Sequence, residues 1–220
     1  MKGSRKRVAV LISGRGSNMM ALLEAARDPT SPAEIVAVLS DMADAGALAT
    51  ARENGVEALA VPRADHDSKT AHEAAVMAEL DRIAPDIICL AGYMRLLSPI
   101  FVAHYRGRIL NIHPSLLPLF PGLDTHARAL SAGMKVHGCS VHFVDEGMDE
   151  GAIIAQAAIP VTADDTPETL AARVLKAEHK LYAHALAMVA RGDAYLDDAG
   201  RCILIKKSRP TETQMVIGPS

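Results

Sequence analysis

In Ile109-Leu110-Asn111-Ile112-His113-Pro114-Ser115-Leu116-Leu117-Pro118 an apolar run stops abruptly at an amide and an imidazole, and prolines follow. A run rich in Ile and Leu that ends before a proline reads as a buried strand, and Pro114 pushes His113 towards extended backbone. Asn111 and His113 are two positions apart, so on a strand they point to the same side. One side chain is a fixed donor and acceptor; the other changes charge near neutral pH. The plain alternative is a capped strand end with a turn-forming Asn and a half-buried His. The rest of the chain decides between them.

Working outward, the amino-terminal side repeats a rhythm of strands and helices. Residues 7–12 form an apolar run of strand length that meets Ser13-Gly14-Arg15-Gly16-Ser17-Asn18, then a helical stretch over 19–27. Strand, glycine turn and helix is the arrangement that cradles a phosphate, because the first free amides of the helix face the anion. Ser17 or Asn18 is expected to cap that helix or to donate to a phosphate oxygen. A dinucleotide fingerprint asks for a third glycine where Met19 stands, so a phosphate monoester suits the loop better than a pyrophosphate. Asp41, after the next strand (34–40), still resembles the acidic ribose partner of dinucleotide-binding folds. A helix over 43–54, a strand over 56–61, a helix over 69–83 and a strand over 86–91 follow. Such alternation predicts a parallel sheet covered on both faces, with right-handed crossovers. Gly92-Tyr93-Met94-Arg95-Leu96-Leu97-Ser98-Pro99 then opens at the same sheet edge as Asn111, where open α/β folds bind ligands. Met94, Leu96 and Leu97 line an apolar slot in this reading.

Beyond Pro118 come a turn at Phe120-Pro121-Gly122, a short helix over 124–132 and an alternating, half-buried strand over 136–145. An acidic glycine loop, Glu146-Gly147-Met148-Asp149-Glu150-Gly151, leads into a returning strand over 152–161. A long helix capped by Thr166 runs over 167–190, residues 195–205 carry weak strand signals, and 206–220 reads as a loose polar tail. The fold class is therefore α/β: a mostly parallel, doubly wound, Rossmann-like sheet with an antiparallel C-terminal strand excursion and a long C-terminal helix.

Composition excludes several classes. Half of the 220 residues are hydrophobic, only 3% are aromatic, and the net charge of -3 leaves no electrostatic footprint for nucleic acid. Cys89, Cys139 and Cys202 have no metal-type spacing; an odd count without a signal peptide argues for reduced thiols in the cytoplasm. No stretch reaches about 18 apolar residues, so no membrane span is expected. His126, His137 and His142 invite a metal reading, but no HExxH helix or cysteine pair supports it.

The motif Asn111-Ile-His113-Pro-Ser-Leu-Leu-Pro118, with Phe120-Pro121-Gly122 and His126 after it, resembles the signature of the glycinamide ribonucleotide formyltransferases, within the folate-dependent formyltransferase family. Ile12-Ser-Gly-Arg-Gly-Ser-Asn18, Ala91-Gly-Tyr-Met-Arg-Leu-Leu-Ser-Pro99, Gly138-Cys-Ser-Val-His-Phe-Val144, the Asp149 loop and Glu178-His179 fall in the same register. The likeness covers residues 8–182. It implies one formyltransferase domain over 1–205, with 1–105 on the nucleotide-phosphate side, 106–205 on the catalytic and folate side, and the tail 206–220 apart. It also implies transfer of the formyl group of 10-formyltetrahydrofolate, as co-substrate, onto the amine of 5-phosphoribosylglycinamide in purine synthesis, without a metal.

By position, Gly16, Ser17, Asn18 and Glu178 then hold the ribonucleotide. Lys69, Met94, Arg95, Leu96, Leu97, Asn111, Asp145, Met148 and Asp149 meet the folate, and Asn111, His113 and Asp149 are catalytic. The partners implied are small molecules only, with no nucleic acid and no membrane; a homodimer is left open. Amine attack on a formyl carbon creates an oxyanion, and a preplaced donor to such a charge is worth about 2.7–4 kcal/mol in a well-studied case. Asn111 and protonated His113 supply the donors in this reading. Asp149 favours the imidazolium and accepts the amine's proton, directly or through a water. Departures from the family pattern are Glu150 beside Asp149, Arg15 between the loop glycines, and Lys69 where a planar Arg is also found. Rival readings are an NAD-dependent oxidoreductase, resting on Gly14, Gly16 and Asp41, and a non-catalytic nucleotide or folate sensor. Methionyl-tRNA formyltransferase would need a further C-terminal domain and a basic surface, and formyltetrahydrofolate hydrolase a further N-terminal domain.

Overall fold

A computed structural model describes residues 4–205; the tail expected over 206–220 lies outside them. Seven strands form one sheet in the order β3-β2-β1-β4-β5-β6-β7. They are β1 (Lys6–Ile12), β2 (Ala33–Ser40), β3 (Glu57–Ala60), β4 (Ile87–Leu90), β5 (Ile109–His113), β6 (Val136–Phe143) and β7 (Ile153–Pro160). The first five run parallel, whereas β6 pairs antiparallel with both β5 and β7. The Rossmann-like expectation and the antiparallel excursion both hold.

Strand β1 shows why its apolar run is unbroken. Val8, Val10 and Ile12 enter the core under α1 (Ser17–Arg27) and α6 (Pro167–Arg191). Ala9 and Leu11 face the opposite core, under α3 (Lys69–Ile83) and α4 (Pro99–His104). A strand covered on both faces loses the polar alternation of a half-exposed one. The same logic corrects the expectation for β6: every residue from His137 to Phe143 is buried. The alternation appears instead on the edge strand β7.

Helix α2 (Gly46–Glu53) is shorter than the expected 43–54, and α5 (Thr125–Ser131) sits within 124–132. Helix α4 was not foreseen; Ser98 caps it by accepting from Phe101 N at 3.3 Å, and Pro99 opens it. The weak strand signals over 195–205 resolve into a separate hairpin of β8 (Ala194–Leu196) and β9 (Cys202–Leu204).

After β3 the chain crosses to the other side of β1, so β1 and β4 part at a topological switch point. The loops leaving these two strands are joined there. Ser13 N donates to Gly92 O at 3.1 Å, and Met94 N donates to Ser13 Oγ at 2.9 Å. Beneath them Tyr182 of α6, fully buried, directs its one hydroxyl hydrogen towards Leu90 O (3.1 Å) and Leu110 O (3.0 Å), tying the ends of β4 and β5 to the helix. Tyr182→Phe should therefore lower unfolding free energy by about 1–2 kcal/mol, read as a shift in the urea midpoint at unchanged slope. An unshifted midpoint would show that the hydroxyl contributes nothing net.

Candidate active site

Asn111 and His113 leave the carboxyl end of β5 on one side of the strand, opposite His142 and Ser140 of β6. The loop from β6 to β7 folds back towards them. Gly151 permits this, because a Cβ there would lie 1.8 Å from Phe143 O. Asp149 takes a left-handed backbone (φ 58°), a conformation that Asp tolerates better than most residues. Its carboxylate accepts from Gly122 N at 2.9 Å and lies 3.2 Å from His113 Nδ1 through the same oxygen. The second oxygen is 3.5 Å from Asn111 Nδ2 and 3.7 Å from His142 Nε2. The His113 and Asp149 side chains are 7% and 13% exposed, so little water screens the pair.

Hydrogen-bond directions define the protons. His113 Nε2 faces Phe120 O at 3.0 Å, so that nitrogen carries a hydrogen. Nδ1 faces the Asp149 carboxylate. His142 differs. Its Nδ1 donates to Phe143 O at 2.9 Å, and burial pulls its pKa down, which leaves a lone pair on Nε2. That lone pair accepts from Asn111 Nδ2 at 3.2 Å. The amide of Asn111 is thus oriented by two acceptors, His142 and Asp149, and a flipped amide would set oxygen against both. His142, weighed in the sequence only as a metal ligand, is the neighbour that the sequence reading missed. Only the β5–β6 pairing reveals it.

The other histidines face each other. His126 Nδ1 lies 3.2 Å from His137 Nε2, with the rings edge to face, so one shared hydrogen serves both. Burial, then the mutual charge, lowers the pKa of His137 to about 4, and burial lowers that of His126. Among the described residues no group of three or more His, Cys, Asp or Glu side chains is placed to hold a metal ion.

At the switch point Gly16, left-handed at φ 71°, precedes α1, and a Cβ on it would meet Ala47 Cβ at 2.5 Å. Neither Ser17 nor Asn18 caps α1, which excludes the capping alternative. Gly16 occupies the cap position, and among the described residues no side chain bonds the first turn. Asn18 instead points inward and donates through Nδ2 to Glu178 Oε2 at 2.7 Å. Burial raises the Glu178 pKa against that hydrogen bond, and Asn18 Oδ1 is buried with no partner among the described residues.

Asp41 is not available to a ribose: it is buried, and its Oδ2 accepts from Arg95 Nε at 2.5 Å. Met19, where a dinucleotide fingerprint has glycine, is fully buried in the core. The Arg95 pairing takes Asp41 away from the oxidoreductase reading, which is left with the two loop glycines. Between these anchors Met94 and Leu96 are 67% and 62% exposed beside half-buried Leu97. Met148 is exposed beside the turn, its sulfur 3.6 Å from where a Cβ on Gly122 would be. Lys69 lies outside the Asp149 cluster, 3.9 Å from Glu73, and Asp145 is exposed and accepts from Gly147 N at 3.1 Å. Arg15 and Glu150 are exposed.

A doubly wound sheet whose carboxyl edge brings together an amide, a histidine–carboxylate pair and an uncapped glycine loop has groups of the kind used for group transfer at a carbonyl carbon. The chain belongs to the formyl transferase family, whose model matches residues 6–186. It is 45% identical over 185 residues to the phosphoribosylglycinamide formyltransferase of Escherichia coli, covering 84% of this chain and 87% of that protein. The crystal structure of phosphoribosylglycinamide formyltransferase from Brucella melitensis is 64% identical, with a TM-score of 0.82 over 85% of this chain and 96% of that one. The trifunctional purine biosynthetic protein adenosine-3 of Drosophila melanogaster is 48% identical over 194 residues; the match covers 87% of this chain but spans only 14% of that protein.

The low histidine pKa values fix a pH dependence. The unfolded chain protonates these rings near pH 6.5, while the folded chain resists down to about 4 at His137, so the unfolded state binds more protons between those values. Stability should accordingly fall as pH drops from 7 to 5, and the urea midpoint should fall less steeply in His137→Asn. Equal slopes in the two proteins would refute the assignment.

Proposed function

We propose that this chain transfers the formyl group of 10-formyltetrahydrofolate to the amine of 5-phosphoribosylglycinamide, yielding the N-formyl ribonucleotide and tetrahydrofolate in purine synthesis. The observation that carries the reading is the convergence of Asn111, His113 and Asp149 within 3.5 Å of Asp149's carboxylate oxygens. Family membership and the named relatives support the same activity.

The ribonucleotide phosphate meets the uncapped amides after Gly16, at Ser17 and Asn18. Glu178 and the unpartnered Asn18 Oδ1 are acceptors suited to the ribose hydroxyls. The folate lies against Met94, Arg95, Leu96 and Leu97, closed by the loop carrying Asp145, Met148 and Asp149, with Lys69 at the outer end. The reaction proceeds in the cytoplasm and needs no metal.

The amine nitrogen bonds to the formyl carbon, and the carbonyl oxygen becomes an oxyanion. Asn111 keeps one hydrogen on His142 and turns the other to that oxygen, exchanging only the weak 3.5 Å contact with Asp149. His113 supplies the second donor through Nε2, exchanging its contact with Phe120 O for that oxygen while Nδ1 stays on Asp149. Asp149, held by Gly122 N, accepts the proton lost by the amine, directly or through a water. The carbon–N10 bond then breaks as His113 delivers its proton to N10, and product and tetrahydrofolate leave with atoms and charge balanced.

Mixing the protein with the ribonucleotide and a 10-formylfolate should give stoichiometric deformylation by absorbance and one formylated product; binding without turnover would identify a sensor instead. Asp149→Asn should reduce kcat by about 10²–10⁴-fold while the folate KM stays within a few-fold. Near-normal kcat in that variant would remove Asp149 from the mechanism.

A further inference from the structure

The segment after β4 is held from outside the site by two buried carboxylates. Asp41, at the end of β2, has a side chain only 1% exposed and accepts from Arg95 Nε. Glu73, on the second turn of α3, is buried and accepts from Ser98 N at 2.8 Å, where α4 begins. Lys69, one turn earlier on α3, faces the same Glu73 oxygen at 3.9 Å. Tyr93 and Leu97 pack against the core, but Met94 and Leu96 turn their apolar side chains outward, so core packing fixes this stretch only in part. Removing a carboxylate from water is unfavourable unless donors replace the water, and apolar side chains would fill both positions more favourably. What each carboxylate gains instead is a donor from residues 92–98. With Nε held by Asp41, the outer edge of the half-exposed Arg95 guanidinium is left for a ligand acceptor.

We propose that Asp41 and Glu73 are positioning residues for the folate co-substrate: Asp41 aims the Arg95 guanidinium, Glu73 fixes Ser98, and together they set the slot between them. This rests on the reading of 92–98 as the folate slot. Neither carboxylate bonds Asn111, His113 or Asp149 among the described residues, so both act on folate affinity and leave the chemical step alone.

Steady-state kinetics of Asp41→Ala, Glu73→Ala, Glu73→Gln and Met94→Ala, with thermal midpoints, test the proposal. Asp41→Ala and Glu73→Ala should raise the folate KM about tenfold, with kcat and the ribonucleotide KM within about twofold. Glu73→Gln keeps an acceptor for Ser98 N and should restore the folate KM. Asp41→Asn, equal in shape, should raise it on its own and serves if the alanine variant unfolds. A folate KM unchanged by the Asp41 and Glu73 variants but raised by Met94→Ala would overturn the positioning role and leave the slot standing. If Met94→Ala is silent as well, the slot reading fails and the proposal with it. Both KM values rising together with a lowered midpoint would mark the carboxylates as merely structural.

Discussion

Everything at the sheet edge is arranged around one carboxylate with little access to water. Asp149 is stable there only because donors from two separate segments meet it: Gly122 N from the turn, and His113 and Asn111 from β5, with His142 of β6 orienting Asn111 just behind. A buried charge without such partners costs several kcal/mol, so the loop's path and the site's shape are one constraint. The left-handed backbone at Asp149 and the glycine at 151 are what the loop requires to meet it.

The histidines around this centre divide the protonation states between them. His142 is held neutral by burial and serves as an acceptor that orients an amide. His126 and His137 share a hydrogen and stay uncharged. His113 pairs a carbonyl on one nitrogen with the Asp149 carboxylate at 3.2 Å on the other, closer than the 3.7 Å of His142. A proton donor surrounded by neutral rings meets no competing cation, and this separation is what acid–base chemistry at one carbon needs.

The two ligand loops are mechanically one unit. Ser13 bonds the segment after β4 through both its amide and its hydroxyl, and Tyr182 ties the strand ends below. Because the parallel strands present their carboxyl ends together, the glycine turn after β1, the apolar segment after β4 and the polar pair on β5 open towards the same space. The antiparallel return of β6 and β7 then brings the acid loop over them.

Much of this was legible along the chain, because short-range physics writes it there. Apolar runs of strand length mark β1, β2, β4 and β5, Thr166 and Pro167 mark the start of α6, and the spacing of Asn111 and His113 sets them on one face. Tertiary structure alone decided which distant groups share a hydrogen. Nothing local distinguishes Asp41 as the partner of Arg95 from Asp41 as a ribose acceptor, or His142 as the orienter of Asn111 from His142 as a metal ligand. Those outcomes depend on strand register and on which side of β1 the chain crosses, and both are settled by the packing of the whole sheet.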